Sequence, residues 1–190
     1  MPLGKPLLDA LERMGCGGVI LDGMGNALLT NPMAKRVLQQ ETGRANPHAD
    51  DPDWIRGAIK RLLSRGEMRF RMTEDAWITI PREDKRALVL HAVSVEHETE
   101  SSAHTVLILV DLDRNLLPNL DVLQKMFGLT AAEAKLAIEI ATGETPADIA
   151  KENLVSLATV RSQLASVLAK TQTGRQAELV ALLARVAILP

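Results

Sequence analysis

Three helix-start signals fall close together between Thr130 and Ser156, and they constrain the fold more than anything else in the chain. Thr130 followed by Glu133 makes a capping box, in which the hydroxyl accepts from a backbone donor and the carboxylate reaches back. Gly143 suits the left-handed residue that ends the helix so begun. Thr145 then caps a second helix, with Pro146 in its first turn where a missing N–H costs nothing. Ser156 caps a third. Between the second and third helices there is room only for a short turn near Glu152–Val155. Two short helices joined so tightly form a helix-turn-helix arrangement, and a fourth helix follows over Arg175–Ile188.

Laid out at the helical period, the third helix, Leu157–Lys170, divides into two faces. Leu157, Val160, Leu164, Val167 and Leu168 share one arc and are expected to be buried. Ala158, Arg161, Ser162, Ala165 and Ala169 share the other. A solvated face usually carries long Lys and Glu side chains, whereas this one carries one arginine among small residues. Such a face lets the helix backbone approach a DNA groove, where an arginine can bond guanine twice or grip a phosphate. The bland reading is an ordinary helical bundle with an alanine-rich surface. Net charge does not choose between them. From Pro118 on, seven bases (Lys125, Lys135, Lys151, Arg161, Lys170, Arg175, Arg185) meet seven acids (Asp121, Glu133, Glu139, Glu144, Asp148, Glu152, Glu178). A nucleic-acid binder is typically basic, so any positive footprint here must be local.

The segment from Leu129 to Leu183 resembles the LuxR/GerE-type helix-turn-helix of bacterial transcription regulators. The resemblance is carried by Leu129-Thr130, Ala132-Glu133-Ala134, Gly143, Ile149-Ala150, Val155-Ser156, Thr159-Val160-Arg161, Leu164, Lys170 and Arg175-Gln176-Ala177-Glu178-Leu179. It implies that the third helix enters the major groove, with Ala158, Arg161, Ser162 and Ala165 on the face toward the bases and Thr159 and Lys170 near phosphates. It also implies that the fourth helix pairs two protomers, and the apolar stripe Leu179, Leu182, Leu183, Val186 offers Leu179, Leu183 and Val186 as the dimer seam. Two departures stand out. Asn153-Leu154 replaces the frequent Leu-Gly of the turn, and because Asn tolerates a left-handed backbone the turn is expected to shift by a residue. Ala165 has no hydrogen-bonding group where many relatives have one, leaving it a thymine methyl to touch.

Ahead of this region, Gly18–Leu21 and Ala27–Leu29 read as strands joined by the tight turn Asp22-Gly23-Met24-Gly25-Asn26. Asn31 and Pro32 open a helix through Gln40, and Asp53–Leu63 is a second amphipathic helix. Met68–Met72, Ala76–Ile80, Ala87–Val95 and Thr105–Leu112 are strand-like, and Glu41–Asp53 and Glu96–His104 are polar loops. The order reads β-β-α-α-β-β-β. It resembles a PAS domain, most closely over Val19–Leu38, and implies a unit that senses a small ligand or partner protein and often dimerises. Pro118 and the change of periodicity put the boundary in Asp111–Asn119. The expected fold class is therefore α+β: a PAS-like antiparallel sheet with helices over residues 1–113, then an all-α four-helix LuxR-type domain over 117–190.

Candidate chemistry elsewhere is sparse. Gly15-Cys16-Gly17-Gly18 and Gly23-Met24-Gly25 match no phosphate loop. Cys16, the one cysteine, excludes an internal disulfide and fits a reducing cytoplasm. It reads as a small buried side chain, with a redox sensor as the alternative. His91, His97 and His104, with Glu96, Glu98 and Glu100, fit no compact metal pattern. No histidine falls in Asp53–Leu63 to bind haem, and no catalytic constellation appears. Asp22, Asp111 and Asp113 do not make a phospho-acceptor receiver. Trp54 and Trp77 are core or edge aromatics, or one lines a ligand pocket. Aromatics are only 2% of the chain, which argues against single-stranded nucleic acid, and no apolar run is long enough to span a bilayer. The expectation is a cytoplasmic, homodimeric, non-enzymatic transcription regulator that binds double-stranded DNA and needs neither metal nor cofactor. A protein-interaction module whose helix-turn-helix binds a partner protein is the competing reading.

Overall fold

Asn31 organises the start of the fold. Its buried side chain accepts from the backbone N–H of Gly18 and of Ala34, and donates to the carbonyls of Leu8 and Cys16. Every polar site of the amide that reaches the backbone here is thus satisfied, as burial demands, and three elements are joined. These are helix α1 (Gly4–Arg13), strand β1 (Gly17–Leu21) and helix α2 (Pro32–Thr42), which Asn31 caps. The computed structural model describes residues 4–43, 51–72, 75–95 and 104–189, with backbone alone over 67–76. The chain divides into two compact units, Met1–Arg114 and Asn115–Pro190.

The front unit continues with β2 (Ala27–Thr30), α3 (Pro52–Arg65), β3 (Glu67–Met72), β4 (Asp75–Arg82), β5 (Lys85–Val95) and β6 (His104–Asp111). Four strands follow α3, one more than the expected order, and α1 precedes it. Glu41 and Thr42 belong to the end of α2, and Pro52 and Asp53 to the start of α3, rather than to a loop. The six strands form one antiparallel sheet in the order β2-β1-β6-β5-β4-β3. The β1–β2 turn is built by Asp22, whose carboxylate accepts from the N–H of Met24 and Asn26, while Gly25 takes φ 81°. Strand alternation sends Val19, Leu88, Leu90 and Leu109 to the face covered by α2 and α3, where they meet Val37, Leu38, Ala58 and Leu62. On the opposite face α1 covers Ile20 and Val106 with Leu8 and Leu11, and half-buried Cys16 packs there. Burial raises the Cys16 thiol pKa, which keeps it protonated.

The second unit contains five helices among its described residues, not four: α4 (Leu120–Phe127) precedes α5 (Ala131–Ala141), α6 (Pro146–Glu152), α7 (Leu157–Lys170) and α8 (Gln176–Val186). The caps form at the residues expected. Thr130 and Glu133 complete the capping box, and Thr145 and Ser156 accept from Asp148 N and Thr159 N. The helices close on a core of Leu123, Leu136, Ile140, Ile149, Val160, Leu164, Val167, Leu179 and Leu183. Burying each such side chain contributes about 1.5–3 kcal/mol. Here the structure corrects the expected dimer seam. Leu179, Leu183 and Val186 are 0%, 0% and 5% exposed inside this core, so they cannot also face a second copy. The exposed face of α8 instead carries Ala177, Ala181, Ala184 and Arg185.

Candidate nucleic-acid interface

The α6–α7 corner is set by how α6 ends. Val155 N donates to the carbonyl of Ala150 and Leu154 N to that of Lys151, the paired bonds of a Schellman ending. The left-handed residue is Leu154, at φ 54°. The expected one-residue shift onto Asn153 does not occur, and the reason is local. The Asn153 side chain accepts from Lys135 Nζ at 2.7 Å and donates to Glu139 at 3.3 Å, both on α5. Held there, Asn153 stays at φ −86° as the C-cap, and leucine takes the unfavourable conformation while 93% exposed. Helices α5 and α7 close in the same way, with Gly143 at φ 98° and Gln172 at φ 55°.

Two residues past that turn, Ser156 starts α7. Its hydroxyl accepts from Thr159 N at 3.0 Å and lies 2.8 Å from the Thr159 hydroxyl. No acidic residue stands in the first turn of α7, so the positive end of the helix dipole is uncompensated and suits an anion. Val160, Leu164 and Val167 are buried, and Leu157 and Leu168 half-buried. On the other arc Ala158, Thr159, Arg161, Ser162, Ala165 and Ala169 are all exposed. Arg161 forms no ion pair among the described residues.

Lys170 is placed differently from the expectation. Its ammonium donates to Glu133 Oε2 at 2.6 Å, tying the last turn of α7 to the first turn of α5. Glu133 is nearly buried and also accepts from Thr130 N at 2.7 Å. The Lys170 bond, then the Thr130 bond, lower its pKa from 4.5 to about 2. Lys170 thus orients α7 and is not a free cation for a phosphate. Lys135 and Arg175 likewise face Glu139 and Glu178. Lys125, Lys151, Arg161 and Arg185 have no acidic partner among the described residues. Lys151, exposed on the last turn of α6 beside the corner, was not singled out from the sequence. Its signal was only a basic residue where the first helix of the motif ends.

Elsewhere, His91 stacks on Trp77 with ring centroids 3.8 Å apart, and Trp54 packs half-buried against the front core. His97, Glu96, Glu98 and Glu100 lie outside the described residues. Among the described residues no group of three or more His, Cys, Asp and Glu could hold a metal ion, and no helix is long and apolar enough to cross a membrane.

No protein-family profile matches the chain, and no curated protein matches it. Among solved structures, it is similar to the Vibrio cholera VqmA–ligand–DNA complex at 15% identity and a TM-score of 0.31, over 90% of this chain and 82% of that one. The phage VqmA–DPO complex gives 14% identity and a TM-score of 0.34, over 98% and 88%. An RNA-binding Light-Oxygen-Voltage receptor gives 12% identity and a TM-score of 0.27, over 87% of this chain and 47% of that one. At TM-scores this low neither the fold nor the function of this chain is argued from them.

Proposed function

We propose that the chain is a DNA-binding transcription regulator whose α7 enters the major groove, under the control of a PAS-like sensory or dimerising front unit. The observation that carries the reading is the outward arc of α7: small side chains, no acid, and one unpaired arginine. Arg161 contacts a guanine edge or a phosphate. Ser162 bonds a base, Ala158 and Ala165 allow close approach and touch thymine methyls, and Thr159 lies at the backbone. Lys151 joins them as a phosphate contact, while Lys170 holds α7 in place. Two copies bind together, each on one half-site.

Fluorescence anisotropy of the full chain on duplex DNA tests this. With Arg161 and Lys151 as the contacts of each of two protomers, log affinity falls against log salt with a slope of roughly −2 to −4. Arg161→Ala weakens specific binding by about 1–3 kcal/mol without disturbing the fold. Binding that ignores both salt and Arg161 would remove the assignment.

A further inference from the structure

We propose that Arg82 is the pin of an ionic clasp that fixes the segment leaving the front unit, and that through this clasp the front unit governs how the helix-turn-helix meets DNA. The second half of this inference rests on the DNA-binding reading above. Arg82 ends β4 where the register shifts past exposed Pro81, and a bulge of this kind re-aims a side chain. Its guanidinium is only 6% exposed. Nη1 donates to Glu41 Oε1 at 3.2 Å, Nε to the Arg86 carbonyl at 2.7 Å, and Nη2 to Asp111 Oδ1 and, at 3.4 Å, to Asp113 Oδ2. Asp113 also accepts from Arg86 N at 2.9 Å, and Arg65 approaches Glu41 at 3.6 Å.

One buried cation therefore joins the end of α2, the β4–β5 hairpin and the chain just beyond β6. The last paired residue of β6 is Asp111, so Asp113 is held past the point where the sheet needs it. Arg114 itself reaches Met33 Sδ on α2, and the second unit begins at Asn115. Glu41 rides on α2, whose Val37 and Leu38 line the core. Whatever shifts α2 against the sheet pulls on the same guanidinium that holds the exit segment. Removing one partner leaves buried charge uncompensated, so the cluster is held or released as a whole, which is the behaviour of a two-state element. Once released, the exit segment joins paired DNA-binding units by a slack connection, and effective concentration falls.

Full-length Asp113→Ala, Arg82→Met and Arg82→Lys proteins test the clasp by two readouts: the rate of tryptic cleavage after Arg114, and affinity for a duplex enriched from a random pool. Tryptophan fluorescence checks that the front unit is folded. Asp113→Ala changes a half-exposed residue and leaves the core intact. It is expected to speed cleavage after Arg114 and to weaken binding by about threefold to thirtyfold. Arg82→Met, where it folds, does so more strongly, and Arg82→Lys partly restores both. Unchanged cleavage in folded Asp113→Ala overturns the clasp, and faster cleavage with unchanged affinity overturns the coupling. If the unaltered chain enriches no duplex, the DNA reading fails, and cleavage after Arg114 alone decides whether the clasp stands.

Discussion

Leu154→Gly is expected to stabilise the second unit although it removes a side chain. The left-handed conformation costs a residue with a Cβ roughly 1–2 kcal/mol, and Leu154 sits in it at φ 54°. Its side chain returns little, since it is 93% exposed. Glycine relieves the strain but has a more mobile unfolded chain, at a cost of roughly 0.5–1 kcal/mol. The net gain is about 0.5–1 kcal/mol. Gly143 supplies the reverse control at the same kind of helix ending, at φ 98°, where an added Cβ would meet nothing within 4 Å. Gly143→Ala is therefore destabilising by about 1 kcal/mol through backbone strain alone. The assay is urea unfolding followed by far-UV circular dichroism and by tryptophan fluorescence together. Both tryptophans, Trp54 and Trp77, belong to the front unit, so fluorescence should be unmoved. With an m-value of about 1 kcal/mol per molar, the helical transition rises by roughly 0.5–1 M in Leu154→Gly. A fall in that midpoint would refute the reasoning, because it would mean that the exposed leucine contributes more than its backbone costs.

Other expectations follow from the same structure. Glu133 is held below its ordinary pKa in the folded chain, so its contribution is full above pH 4.5 and is lost as pH falls toward about 2. Glu133→Gln should flatten the acid limb of the helical transition, and an unchanged limb would mean that Lys170 does not hold this carboxylate. Lys170→Met should cost about 1–3 kcal/mol of second-unit stability, seen as a lower urea midpoint, while the salt slope of DNA binding stays the same. A slope shallower by about 1 would return Lys170 to the phosphates. Asn31→Leu orphans the buried N–H groups of Gly18 and Ala34, and should lower front-unit stability by about 2–4 kcal/mol, read by tryptophan fluorescence.

What the sequence made legible was local. Thr130, Thr145 and Ser156 each cap from within three residues, so spacing alone located the helices and the corner between α6 and α7. Strand alternation located β5 and β6 for the same reason. What escaped were the long-range pairs. Lys170 and Glu133 stand 37 residues apart, and nothing in the α7 pattern separates a paired lysine from one facing phosphate. The stripe on α8 was legible as apolar, but periodicity does not say whether a helix spends such a stripe on its own core or on a second copy. The left-handed residue was misplaced because the rule favours asparagine, whereas Lys135 and Glu139 from another helix hold Asn153 in place. Arg82 gave no signal, since its partners Glu41 and Asp111 come from distant elements.

The most direct test is selection from a random double-stranded DNA pool by the full chain and by its Arg161→Ala variant, at matched salt. The account predicts a two-fold symmetric motif for the unaltered chain, with a guanine–cytosine position that becomes degenerate in the variant. No enriched motif, or the same motif from both proteins, would contradict it.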